Sequence, residues 1–217
     1  LFLALVGACV AWQALGGTAP EPAYEAGQPA PVVVSEANWA DSVWKIFPCY
    51  RSDMTGDRRE PITVQWAANP QQLAAQLRSR GWLEAPRFTP RSVLSLVSPD
   101  VSAMDLPVLP KLNNGEPSKL VFVRSRTTRD ERDVLRFWPT GYALARPDGA
   151  PVPIWLGSVV HERLRRPSWP FNILRPDKQM DRLIADQEAP AGWRALEVAS
   201  DIGCEGVRVT LLASDAR

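Results

Sequence analysis

The lone histidine, His161, stands in the run His161-Glu162-Arg163. An imidazole beside a carboxylate can serve as a general base, and hydrolysis of a phosphate ester is the reaction such a centre near His161 would fit. In a strand, however, successive side chains project to opposite faces, so Glu162 would not orient His161. The plainer expectation is a histidine near a strand end, held by one hydrogen bond.

Arginines are the second chemical resource. Arg124, Arg126, Arg129, Arg132 and Arg136 gather around one turn, and Arg163, Arg165, Arg166 and Arg175 follow later. Guanidinium forks suit phosphate oxygens, and Trp138, Trp155 and Trp169 lie near in sequence. The candidate ligand-binding set is therefore Arg124, Arg126, Arg136, Trp138, Trp155, His161 and Arg163, facing an anionic lipid head group or an anionic polymer, with an upstream membrane domain as the other expected partner. The competing expectation is solvated loops, with Asp130, Glu131, Asp133 and Glu162 balancing the arginines. A net charge of +1 supplies no global field, so nucleic acid is not an expected partner. Asp53, Asp57 and Glu60, mixed with Arg51, Arg58 and Arg59, read as another solvated loop.

Other chemistries lack their residues. No Gly-x-Ser-x-Gly elbow, Gly-x-Gly-x-x-Gly loop or His-Glu-x-x-His helix occurs, and Ser158 follows Gly157 without the second glycine of an elbow. Cys9, Cys49, His161 and Cys204 are scattered without paired spacing, so neither a metal site nor a cofactor is expected.

The elements that must position these residues centre on Leu120 to His161. Leu120–Val123, Val134–Trp138 and Val152–Val160 are apolar, β-branched or aromatic runs. Arg146-Pro147-Asp148-Gly149 separates the last two, with Pro147 presetting φ and Asp148-Gly149 suited to positive φ. They read as a meander of antiparallel strands. Upstream, Ile62–Trp66 alternates as a strand, and Asn69-Pro70 opens a helix through Leu73, Ala74 and Leu77 that Gly81 closes, with Trp82 packing under its end. A short helix is expected near Ser35 or Asn38, and a second capped helix after Thr89-Pro90. Leu106 to Pro110 reads as an extended connector, Asn113-Asn114-Gly115 as a turn, and Arg163 to Pro170 as irregular. Asp177 would cap a helix carrying Met180, Leu183 and Ile184, and Trp193–Val198 and Val207–Leu212 would be final strands around Gly203 and Gly206. The fold class expected is α+β: an antiparallel sheet with a meander centre and a few short helices on one face. The 21 prolines argue against a long-helix architecture, and the 9 tryptophans supply large packing surfaces.

The N-terminal stretch has a different character. Leu1 to Ala19 carries no charge, and Trp12 sits near its end. It reads as the end of a transmembrane helix in a piece of a longer protein, since a span needs about 20 apolar residues and Trp favours the interface. A signal-peptide core and a buried helix are the alternatives. Residues 20–38 form a Pro- and Ala-rich linker, and 39–217 the soluble α+β domain. No Lys or Arg occurs between Leu1 and Val43. Cytoplasmic flanks usually carry them, so the domain is expected on the extracytoplasmic side, as in a bacterial periplasm. Such a compartment permits a disulfide, for which Cys49 and Cys204 are the two candidates outside the apolar segment.

Several stretches together resemble the LssY-type C-terminal domain: Ile62–Ala67, Gly81-Trp82, Leu106–Pro110 with Gly115, and Pro153–Val159. The similarity runs from about Trp39 to about Ala189. The resemblance implies a domain that follows a membrane region of DedA type, of type 2 phosphatidic acid phosphatase type, or both. It carries no activity over to named residues, and the lipid-phosphatase motifs themselves are not in this chain. The function expected is a non-catalytic accessory domain, joined to the membrane through its N-terminal helix, that binds or positions a lipid-phosphate substrate or a protein partner. A hydrolase working near His161 and a structural oligomerisation domain are the alternatives.

Overall fold

The computed structural model of the chain describes residues 30–86, 89–147, 149–168, 171–176, 193–199 and 207–214. The chain divides into two units, Leu1–Ala30 and Pro31–Arg217, and the described residues belong almost wholly to the second. The expected membrane segment, the helix after Asp177, and Cys204 lie outside them. Among the described residues no helix is long and apolar enough to cross a membrane.

A nine-stranded sheet is the body of the second unit. Its centre is the meander expected from the sequence: β8 (Leu120–Ser125), β9 (Glu131–Arg146) and β10 (Gly149–Ser168), paired antiparallel. The last two run 16 and 20 residues, well past their apolar cores. The extension is made by charged residues that pair across the ladder, Arg132 opposite Glu162 and Glu131 opposite Arg163. Opposite charges facing each other stabilise a strand pair that apolar patterning alone would end. Arg163 to Ser168, read as irregular, is thus strand, and it continues into the edge strand β11 (Phe171–Pro176). Gly149 is the first residue of β10, opposite Arg146.

The sheet is mixed rather than wholly antiparallel. β4 (Val64–Ala67) pairs antiparallel with β10 but parallel with β13 (Arg208–Ser214), and β1 (Val32–Val34) pairs parallel with β9. β12 (Trp193–Ala199) closes one edge antiparallel to β13, and the two-residue β5 (Leu83–Glu84) closes the other against β8. β1 lies inside the stretch read as linker. Every residue of β4 is buried, which suits a strand covered on both faces. Pro139 has no N–H for the ladder, and β9 accommodates it with a bulge completed by Gly141 at φ 76°.

Helices lie on both faces, not one. α1 (Glu36–Asp41), capped by the Ser35 side chain accepting from Asn38 N–H, places Trp39 in a cluster with Ala67, Leu144 and Ile154. α2 (Pro70–Arg78) places Leu73 and Leu77 in a cluster with Trp66, Leu135 and Phe137 on the opposite face. Trp82 folds back under α2 as its sequence suggested, with Gly81 at φ 79° allowing the turn. α3 (Pro90–Ser95) is the helix expected after Thr89. Arg51 to Pro61 is a solvated loop only at residues 54–57, which are exposed; on either side β2 (Tyr50–Ser52) and β3 (Arg58–Pro61) form a small hairpin. β6 (Leu112–Asn113) and β7 (Glu116–Pro117) flank the expected turn, with Asn114 and Gly115 both at positive φ.

Candidate functional site

The β9–β10 hairpin sorts the charged residues by strand alternation. Asp133, opposite His161 and Arg124, faces the side of Leu135 and Phe137. Arg132 and Arg136, opposite Glu162 and Ser158, face the other side. His161 and Glu162 therefore project to opposite faces, as their adjacency in a strand required. Of the candidate binding set, Arg124, Arg126, His161 and Arg163 come together on the Asp133 face, whereas Arg136 and Trp138 belong to the Glu162 face.

On the first face three cationic or cation-capable groups converge on one carboxylate. Arg126 Nε lies 3.0 Å from Asp133 Oδ1, Arg124 Nη2 lies 3.5 Å from Oδ2, and His161 Nδ1 lies 3.3 Å from Oδ1. The carboxylate is inside and the guanidiniums outside: the Asp133 side chain is 3% exposed, against 22% for Arg124 and 30% for Arg126. Arg124 also lies over the indole of buried Trp82, 4.4 Å from the ring centroid. Next along the ladder Arg163 Nη2 bonds Glu131 Oε1 at 2.5 Å. Desolvation would raise the Glu131 pKa, but the Arg163 hydrogen bond and charge outweigh it and hold the carboxyl below its usual range.

The second face carries a buried ionic network. Glu162 Oε2 accepts from Arg132 Nε at 3.0 Å and Nη2 at 2.9 Å, and Oε1 accepts from Arg136 Nη2 at 3.1 Å. Arg132 is 1% exposed and also donates to the carbonyls of Ala103 and Leu106, pinning the connector onto the sheet. Burial raises the Glu162 pKa, but the Arg136 and Arg132 charges and hydrogen bonds pull it further down. Beside it Glu60 is clamped between Arg51 and Lys111; burial opposes its ionisation, yet these two hydrogen bonds lower its pKa to about 2. Burial and the nearby Arg136 charge lower the Lys111 pKa.

Trp138 and Trp155 lie inside the fold. Both indoles are buried, and each donates to a backbone carbonyl, Trp138 to Lys111 and Trp155 to Ala68, both at 3.0 Å. The expectation that the acidic residues balance the arginines in solvated loops holds for Asp130, in an exposed turn beside Arg166, and fails for Asp133 and Glu162, which are buried in strands with Arg132 and Arg136. The residues that sequence reasoning set aside, Asp133 and Glu162 above all, turn out to organise the two clusters. The signal that could have found them was sign alternation at matching positions of paired strands. Cys49 is disulfide-bonded, and its expected partner, Cys204, is outside the described residues. Among the described residues no three His, Cys, Asp or Glu side chains gather as a metal site would require. An open groove of about 630 Å³, lined by Gln71, Arg78, Glu84, Val108 and Lys119 among others, takes in none of the candidate set.

The profile of the family described as LssY C-terminus matches residues 44–169, more than half the chain. Both clusters fall inside that span, and the match sits within the stretch on which the resemblance was based. Neither a curated protein nor a solved structure matches the chain.

Proposed function

The chain belongs to the LssY C-terminus family, and on that premise we propose that its folded part is an accessory recognition domain for a phosphate-bearing head group, serving a membrane protein of the lipid-phosphatase or DedA type. The observation that carries the reading is the Asp133 cluster, in which the acid is buried and its arginine partners reach solvent. Such a layered arrangement presents positive charge outward while its geometry is fixed from within. Arg163, 43% exposed, extends that surface. The charge-free stretch Leu1–Ala19 is the part that would hold the domain at a bilayer, on the extracytoplasmic side.

The test is co-sedimentation of the whole chain with vesicles of phosphatidic acid in phosphatidylcholine and with phosphatidylcholine alone. The ratio of the two affinities removes any contribution from the apolar segment. It should exceed one, fall with salt, and fall several-fold in Arg126→Ala and Arg163→Ala. A ratio of one in the native chain refutes the proposal.

A second reading rests on the 3.3 Å contact of His161 Nδ1 with Asp133. When Nδ1–H donates to that carboxylate, the Nε2 lone pair is the basic one, the arrangement of a general base. In this reading the domain hydrolyses a phosphate ester at the same cluster. Turnover of a phosphate monoester by the native chain, abolished in His161→Asn, would favour it over recognition alone.

A further inference from the structure

We propose that the Glu162 face holds an enclosed binding site for a free tetrahedral oxyanion of the phosphate class, beside Arg136 and Ser158. Two independent observations lead there. The first is charge. Among the described residues, Arg51, Lys111, Arg132 and Arg136 share the network with Glu60 and Glu162, four cations against two carboxylates. Buried charge is costly unless it is compensated, so an excess of two cations calls for an anion.

The second is hydrogen bonding. Arg136 is 2% exposed and spends only Nη2 on Glu162; its Nε and Nη1 have no hydrogen-bond partner among the described residues. Ser158, 1% exposed, sits directly opposite Arg136 on the paired strand, and its Oγ likewise has none. Unpartnered donors this deep are rare, because each forfeits its hydration without replacement. Here they stand side by side on one face, next to the charge excess. An oxyanion accepts from a guanidinium and a hydroxyl at once and neutralises the surplus, whereas a water would satisfy the donors and leave the charge.

Enclosure sets the ligand class. With Arg132, Arg136, Ser158 and Glu162 all below a tenth exposed, the site suits the free ion rather than one esterified to a lipid. It is distinct from the exposed Asp133 cluster, on the opposite face of the same two strands.

The test is thermal unfolding of the whole chain titrated with inorganic phosphate at constant ionic strength, with chloride as the compensating ion and glycerol 3-phosphate as the ester. The native chain should show a saturable rise in Tm with inorganic phosphate. Ser158→Ala removes a hydroxyl that has no hydrogen-bond partner among the described residues and should fold normally, yet weaken phosphate binding about tenfold, the loss of one hydrogen bond to a charged group. Arg78→Ala, which removes an exposed cation that belongs to neither cluster, should leave it unchanged. No saturable effect overturns the proposal. So does an effect lost in Arg126→Ala and kept in Ser158→Ala, or Ser158-dependent binding of the ester as tight as that of the free ion.

Discussion

Replacing Glu162 with glutamine tests the energetics of the buried network directly. Glu162 accepts three hydrogen bonds from two guanidiniums that are 1% and 2% exposed. The amide that replaces the carboxylate would keep one acceptor oxygen and turn N–H donors toward cations. Removing one partner of a buried ion pair costs about 3–5 kcal/mol, because the surviving charges stay desolvated. Three charge-assisted bonds at about 1.5–3 kcal/mol each would sum to more, but the retained acceptor returns part of that. Against a domain stability of about 5–15 kcal/mol, this is a large fraction. With a urea m-value of about 2 kcal/mol/M, the midpoint should fall by about 2 M. The matched control is Glu131→Gln, whose partner Arg163 is 43% exposed; solvent screens such a pair, so its loss should move the midpoint little. The acid limb gives a second reading of the same chemistry. The folded-state pKa values of Glu162 and Glu60 are both depressed, so their stabilisation is present above the unfolded carboxylate value and is lost as pH falls through the folded one. For Glu60 that window runs from 4.5 down to about 2. Urea stability of the native chain should therefore decline across that range, and Glu162→Gln should decline less steeply. A Glu162→Gln cost no greater than that of Glu131→Gln would refute the assignment of Glu162 as the counter-charge of both arginines.

Three further outcomes are expected. Gly157→Ala should destabilise by about 1–3 kcal/mol in urea unfolding, since the new Cβ would meet the Phe137 ring at 2.8 Å and Val64 Cβ at 3.2 Å. Arg132→Lys should not rescue Arg132→Ala, because one ammonium cannot reach Glu162 and the carbonyls of Ala103 and Leu106 together; equal unfolding midpoints for native and Lys chains would contradict this. Proteolysis without reductant should release the peptide of Cys49 joined to that of Cys204, and reduction should cost about 2–5 kcal/mol; recovery of Cys49 joined to Cys9 would refute the pairing.

What the sequence determined by itself was local. Period-two apolar runs marked β8, β9 and β10, Asn69-Pro70 marked the start of α2, and Asn113-Asn114-Gly115 marked a turn, each because a few neighbouring residues carry the whole preference. The family was legible for the same reason, in short runs such as Ile62–Ala67 and Pro153–Val159. Pairing was not. That β4 runs parallel to β13 and β1 parallel to β9 depends on partners far apart in the chain, and no local pattern encodes them. The fate of charge was decided at the same level. Arg132, Arg136, Asp133 and Glu162 look in sequence like the composition of a solvated loop. Only the pairing of β9 with β10 sets them opposite one another and splits them between two faces. Covering one face with the β2–β3 hairpin and the connector then buries Glu162 beside Lys111 and Glu60. Whether a carboxylate is a solvated surface group or the counter-charge of two buried arginines depends on what water it loses. That is a property of the packed structure, not of the residue or its neighbours in the chain.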